Sequence, residues 1–359
     1  MSNVKKLSVS PGPHISTSYS TQAVMRDVII GLAPAALAGI YYFKAKAAIL
    51  IAVCVLTCMI TEWLCCKIRK KQSSIGDLSA VVTGLILAMS LPPALPVIYA
   101  IIGCVFTITI TKMVFGGLGY NPFNPAMAGR VFLTACFGMA MTTWTLPSNL
   151  NSDMPDIGSE NAVITSTFQA DETTTDAITG ATPLGWVKKA IKTRNLEDAT
   201  KIVKANYANS QLKASFYGYT GGCLGETSSL ALLLGGIYML IRRTITWVTP
   251  VCVLASAFVF AEIVFLFDRT AFANPLLHIF SGGMLICAFF IATDPVTIPI
   301  SRKGMAIFGI GTGLLIMLIR TFGGYPEGVM YAILIMNAFT PLIDKACKIK
   351  PIGGVPGGK

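Results

Sequence analysis

AAILIAVCVLTCMITEWLCCKIRKK, residues 47–71, decides what kind of fold this chain can adopt. Between Lys46 and Lys67 lie twenty residues with a single charge, Glu62, followed by four cations in five positions, Lys67, Arg69, Lys70 and Lys71. A helix needs about 20 apolar residues to cross the hydrocarbon core of a bilayer. The run is therefore read as a span whose basic end stops at a headgroup surface. Backbone groups left unpaired in lipid are too costly, so the run is a helix rather than an open strand.

Working outward, similar runs fall at roughly 24–43, 46–66, 75–91, 96–116, 125–145, 226–241, 246–266, 273–293, 304–320 and 326–344. The chain is thus expected to be an all-α polytopic membrane protein of about ten transmembrane helices. Its composition agrees: 53% of the 359 residues are hydrophobic, 13% are charged, and the mean hydropathy is +0.66. A soluble domain would carry about a quarter charged residues. The stretch before Val24 is polar and has no apolar core ahead of a small-residue cleavage site, so no cleavable leader is expected.

The net charge of +11 could suggest nucleic acid, but its distribution argues against that. Seventeen of the 28 Lys and Arg, Lys112 and Arg130 among them, fall at one set of alternate span ends, and four (Lys44, Lys46, Arg269, Arg320) at the other. The remaining seven lie in a polar insert too long to vote. The positive-inside bias puts both termini in the cytoplasm. The expected organisation is a cytoplasmic tail (1–23), five helices (24–145), an extracytoplasmic insert (146–222), five more helices (223–345) and a second cytoplasmic tail (346–359). In a bacterium the membrane would be the inner one.

The halves echo each other. Gly84-Leu85-Ile86-Leu87-Ala88 before Pro92 and Pro96 resembles Gly283-Met284-Leu285-Ile286-Cys287-Ala288 before Pro295 and Pro299. Phe115-Gly116-Gly117-Leu118-Gly119-Tyr120 resembles Phe322-Gly323-Gly324-Tyr325. Five spans per half is odd, so the copies would be an inverted 5+5 repeat, an arrangement that places shared sites near the midplane at interrupted helices. The segments ending in Pro92-Pro93 and Asp294-Pro295 are the expected interruptions.

The insert holds Asp176-Ala177-Ile178-Thr179-Gly180-Ala181-Thr182, which fits the acceptor pattern D-x-x-[ST]-G-A-T for flavin transfer to threonine. Gly180 and Ala181 leave the backbone narrow beside the Thr182 hydroxyl, the atom that a phosphoester with FMN requires. The alternative is an ordinary polar loop rich in Thr and Asp. Eight of the seventeen acids lie within or at the ends of spans: Asp27, Glu62, Asp77, Glu226, Glu262, Asp294, Glu327 and Asp344. Ionisable groups in such places are candidates for function. Asp77, Glu226 and Asp294 sit in Gly/Ser/Thr/Pro-rich contexts, where they could bind a hard cation or hydrogen-bond a flavin ring. Between the fourth and fifth spans, Asn121-Pro122-Phe123-Asn124-Pro125 and Arg130 offer amides for an isoalloxazine or quinone edge and a cation for an anion. The rival reading is a re-entrant turn satisfied by its own side chains. The ten cysteines include no C-x-x-C pair and lie mostly in apolar runs, so they are read as small hydrophobes, with Cys223 left open.

Together, Asp176–Thr182, Gly225-Glu226-Thr227-Ser228, Ala292–Thr297 and Asn121–Arg130 resemble the NqrB/RnfD family over about residues 25–344. The short tail before the first span is closer to the RnfD branch of the Rnf complexes than to the NqrB branch of the sodium-pumping NADH:quinone reductases. The resemblance implies a membrane subunit of an ion-translocating ferredoxin:NAD+ oxidoreductase, with FMN esterified to Thr182 within Asp176, Thr179, Gly180 and Ala181. It also implies a non-covalent riboflavin among the helices, with Glu226, Thr227, Ser228, Asn121, Asn124 and Arg130 as ring- or anion-binding candidates. Asp77, Glu226, Asp294 and Asp344 are candidates for a Na+ or H+ path. Implied partners are an outer-face flavoprotein subunit, iron–sulfur subunits, an NAD-binding subunit and a flavin transferase for maturation. Electrons would pass from the outer-face flavoprotein to the FMN and then inward. The chain shows neither iron–sulfur ligand spacing nor a Gly-rich dinucleotide fingerprint, so NAD and ferredoxin sites are expected in partners. A different class, a non-redox channel or transporter with an inverted repeat, fits everything except Asp176–Thr182.

Overall fold

A computed structural model describes residues 20–70, 74–144, 212–218, 220–267, 274–323 and 327–348. Among these the chain is helical and has no strand. Helix α1, Thr21–Ile68, starts where the Ser20 hydroxyl accepts from the Ala23 amide, and it breaks at Lys44, whose φ is 53°. The break divides it where the sequence divides two spans. After a 3-10 turn, Ile75–Asp77, come α2 (Ser79–Met89) and α3 (Val97–Phe106), the latter running on into a π-helical stretch, Thr107–Met113. Helices α4 (Pro125–Cys136) and α5 (Gly138–Met141) follow.

The second half has a 3-10 turn at Leu224–Glu226, then α6 (Ser229–Ile241), α7 (Val248–Phe267), α8 (Pro275–Phe280) and α9 (Met284–Ile286). A π-helical stretch, Cys287–Ile291, continues α9, and α10 (Arg302–Phe322) and α11 (Val329–Ala346) complete it. Among the described residues four helices, α1, α7, α10 and α11, are long and apolar enough to cross a membrane. Helix α2, by contrast, has 11 residues and rises about 16 Å, roughly half a hydrocarbon core.

The surface is apolar and much of the charge lies inside. Leu37, Ile49, Leu56 and Ile60 on α1 and Val251, Val259, Ile263 and Leu266 on α7 are exposed, while Asp27, Glu62, Lys112, Arg130, Glu226, Arg320 and Glu327 are buried. A lipid solvent favours this reversal. Lys112, Arg130 and Arg320 are therefore not loop charges, as the charge count took them to be. Without them the bias stands at fifteen against three.

Because lipid gives apolar helices no reason to associate, their contacts depend on close backbone approach at small residues. A Cβ on Gly84 of α2 would lie 2.9 Å from the Cys54 carbonyl of α1, and one on Gly313 of α10 would collide with that of Val253 on α7. Gly235 of α6 rests on the Gly31 carbonyl of α1.

One interruption differs from expectation. Asp294-Pro295 follows the end of its helix, and the break in that segment falls at residues 281–283, between α8 and α9. Gly282 has a φ of 67° there, a left-handed value that a side chain resists. The carbonyls freed by the break are taken up by side chains from elsewhere. Arg320 donates to the carbonyls of His278 (2.7 Å) and Ser281 (3.3 Å), and Ser229 to that of Phe280 (2.6 Å). In the first half, Leu78 (φ 62°) separates the 3-10 turn from α2.

Candidate functional site

A partly open cavity of about 60 Å³ lies among the ends of α1, α2, α4 and α6 and the segment after the second π-helical stretch. Its lining combines apolar side chains, among them Met25, Val28, Ile86 and Phe290, with polar ones, among them Lys112, Asn121, Asn124 and Asp294. Each polar group is placed by local rules. Asn124 is the N-cap of α4: its Oδ1 accepts from the Met127 amide (3.2 Å), and Pro125 supplies the fixed φ that suits a first helical position. Its Nδ2 donates to Asp294 Oδ2 (3.2 Å), tying the two halves of the chain together. Asp294 also accepts from the Val296 amide (3.2 Å) and the Thr297 hydroxyl (3.2 Å). Asn121 donates to the Phe123 carbonyl (3.0 Å), and its buried Oδ1 has no partner.

Lys112 enters the same wall from the π-helical end of α3. Its Nζ pairs with Glu62 (2.7 Å) and hydrogen-bonds Ser79 (2.5 Å), with the Lys112 and Glu62 side chains 2% and 1% exposed. Ser79 in turn donates to Asp77, which also accepts from the Ser79 amide (2.7 Å). Ser74 donates to the other Glu62 oxygen. The result is a polar chain from the half-buried Ser74 through Glu62 and Lys112 to the cavity.

A second cluster forms where α4 meets the starts of α6 and α11. Arg130 pairs with Glu327 and stands 3.8 Å from Glu226, and it donates to Cys223 Sγ (3.2 Å). The Leu224 amide donates to the Leu91 carbonyl (3.2 Å), fixing this turn against the chain leaving α2.

Of the residues singled out from sequence, Asn121, Asn124 and Asp294 meet at the cavity, and Asp77 reaches it through Ser79 and Lys112. Arg130 and Glu226 meet in the second cluster rather than at the cavity. Thr227 and Ser228 are spent locally: Thr227 donates to the Leu224 carbonyl (2.9 Å), and Ser228 caps α6 by accepting from the Ala231 amide (3.4 Å). Asp344 accepts from the Ile300 amide (3.1 Å), apart from both clusters. Asp27 is buried against Thr244 (3.1 Å) and Arg242 (3.5 Å). Asp176, Thr179, Gly180, Ala181 and Thr182 lie outside the described residues. Sequence reasoning missed the Lys112–Glu62 pair. The available signal was a lysine inside an otherwise apolar run, which needs a buried partner.

Comparison with known proteins follows the same lines. The model of the NQR2, RnfD, RnfE family matches residues 8–353. The chain is 40% identical over 335 residues to the D subunit of an ion-translocating oxidoreductase complex of Halorhodospira halophila, covering 93% of this chain and 92% of the relative. It is 38% identical over 341 residues to the D subunit of the proton-translocating ferredoxin:NAD(+) oxidoreductase complex of Clostridium ljungdahlii, covering 94% and 93%. It is 39% identical over 354 residues to the D subunit of the Na(+)-translocating ferredoxin:NAD(+) oxidoreductase complex of Acetobacterium woodii, covering 98% and 96%.

Proposed function

The chain belongs to the NQR2, RnfD, RnfE family, and from that premise we propose that it is the D-type membrane subunit of an ion-translocating ferredoxin:NAD+ oxidoreductase. In this reading it spans a bacterial inner membrane as an inverted 5+5 repeat, with both termini inside and residues 146–222 outside. It works with an outer-face flavoprotein, iron–sulfur subunits and an NAD-binding subunit. The packing of α6 on the first half of α1, and of α11 on α4, is what a two-fold relation between halves would produce.

Thr182 would carry FMN through a phosphoester made by a flavin transferase, and a second, non-covalent flavin would occupy the cavity. The observation that carries the second part is the make-up of the cavity lining. It combines apolar side chains that suit a flat ring with Asn121, whose Oδ1 is unsatisfied, and the buried Lys112 side chain. A flavin held there would supply electron-transfer chemistry that protein side chains lack. The chain's own groups would grip the ring edge (Asn121, Asn124), hold a positive charge beside it (Lys112) and exclude bulk water (Met25, Val28, Ile86, Phe290).

Two relatives of nearly equal identity carry names for different ions, so overall similarity does not select Na+ or H+. The Lys112–Glu62–Ser79–Asp77 network, Asp294 and Glu226 are the groups offered for charge compensation.

The deciding experiment is flavin fluorescence in a denaturing gel of the chain co-expressed with a flavin transferase. A fluorescent band that vanishes in Thr182→Ala is expected. A native chain without the band, from cells competent to flavinylate another acceptor, would overturn the covalent part.

A further inference from the structure

The Arg130 cluster has an unusual balance of donors and acceptors. Each of its two carboxylates has one oxygen engaged: Glu226 Oε2 accepts from the Cys223 amide (3.3 Å), and Glu327 Oε2 accepts from Arg130. The other oxygens, Oε1 of Glu226 and Oε1 of Glu327, are both buried without a hydrogen-bond partner, although Glu226 Oε1 stands 3.8 Å from Arg130. The residues themselves are 7% and 5% exposed. One ligand atom each from Cys223, Glu226 and Glu327 lies within 4.8 Å of the others. Two buried carboxylates at that separation do not both stay ionised without something between them. Room for one methyl-sized atom exists on this side: a Cβ on Gly283 would lie 3.6 Å from Glu226 Oε1 and 3.4 Å from Val329.

We propose that Glu226 and Glu327 form a buried site for one exchangeable monovalent cation, a proton in the geometry described here, shared between their two Oε1 atoms. The proton satisfies both orphaned acceptors at once, as Glu226 O–H donating to Glu327. The surrounding charges explain why it can leave. Arg130 faces the pair from α4, and Arg320 from α10, its guanidinium held on the carbonyls of His278 and Ser281. Counting these two arginines and two glutamates, the cluster carries one positive charge with the proton bound and none with it released. The same arginines disfavour a divalent ion, although Cys223 offers a sulfur, because Arg130 already binds that sulfur and Glu327. A sodium ion carries the same charge as the proton and prefers oxygen ligands, so it is the alternative occupant.

This deepens the ion-coupling part of the proposed function by naming a two-residue site, and it does not depend on any flavin. The test is infrared difference spectroscopy of the whole complex in lipid nanodiscs, following the carbonyl stretch of a protonated carboxylic acid that shifts in D2O. Native complex is expected to show one such band that is lost in Glu226→Gln and equally in Glu327→Gln, since either change leaves a lone carboxylate beside Arg130. Glu226→Asp, which keeps the acid if a Gln variant fails to assemble, is expected to move the band. Bleaching by Na+ at constant pH would identify a site that exchanges H+ for Na+, and no bleaching a proton-only site. A native spectrum without the band, or one that all three variants leave unaltered, overturns the proposal. The band should persist in Thr182→Ala, so failure here and failure of the flavin reading are separable.

Discussion

At the scale of single residues, the energetic extremes are charges without water. Lys112 and Glu62 sit in the membrane-facing body of the chain with almost no exposure, and each is tolerable only because of the other. Removing one partner strands a buried charge, a change that costs about 3–5 kcal/mol where it has been measured. Lys112→Met is therefore expected to lower the thermal midpoint of the purified protein sharply. Lys112→Met combined with Glu62→Gln should recover much of the loss, because neither side chain then needs a counter-ion. Recovery no better than the single variant would show that the pair does more than neutralise itself. Asn121 makes a second case. Its free Oδ1 makes no hydrogen bond within the fold. Asn121→Leu should leave the stability within about 1 kcal/mol of native, since it removes one side-chain hydrogen bond. It should also reduce the non-covalent flavin released on denaturation. Unchanged flavin release would remove Asn121 from the cavity's recognition surface.

At the scale of elements, several segments are too short or too broken to cross a bilayer unaided, and they hold together through contacts supplied by others. Helix α2 presses Gly84 against the backbone of α1, and α10 presses Gly313 against α7. With the added Cβ of Gly84→Val already 2.9 Å from a carbonyl oxygen, α2 must move off α1. A strong fall in the yield of monodisperse protein in detergent is expected, measured by fluorescence-detected size exclusion. The break at residues 281–283 relies on the Arg320 fork. Arg320→Leu leaves the carbonyls of His278 and Ser281 without their donor, each buried orphan costing about 1–3 kcal/mol. A thermal midpoint equal to native would mean the break is satisfied otherwise.

At the scale of the whole molecule, the prediction concerns direction. With buried Lys112, Arg130 and Arg320 set aside, the basic residues still crowd one set of span ends. Alkaline phosphatase fused after Lys359 should be inactive, and fused within residues 146–222 active, since the enzyme folds only outside the cytoplasm. The reverse pattern would invert the orientation and put Thr182 on the inner face. The two buried networks then take different places. In the expected orientation Lys112, Asn124 and Asp294 would belong to the end facing the cytoplasm, while Glu226 and Glu327 would begin helices that start from the outer end. An ion relay crossing the chain would need both.

The sequence by itself determined the class of fold and most element positions. Whether a segment prefers lipid is a sum over its own residues, as residues 47–71 show, and the expected runs at 246–266 and 304–320 lie within two residues of α7 and α10. It also singled out Asn121, Asn124 and Asp294, because Asn-Pro and Asp-Pro steps in apolar surroundings advertise their cost locally. The tertiary structure alone decided which charges are partners. Lys112 and Glu62 are 50 positions apart, and Arg130 and Glu327 are 197 apart. A buried charge can be stabilised by any counter-ion that the packing brings near it. Local pattern marks such a residue as needing a partner, and only the packed helices supply one.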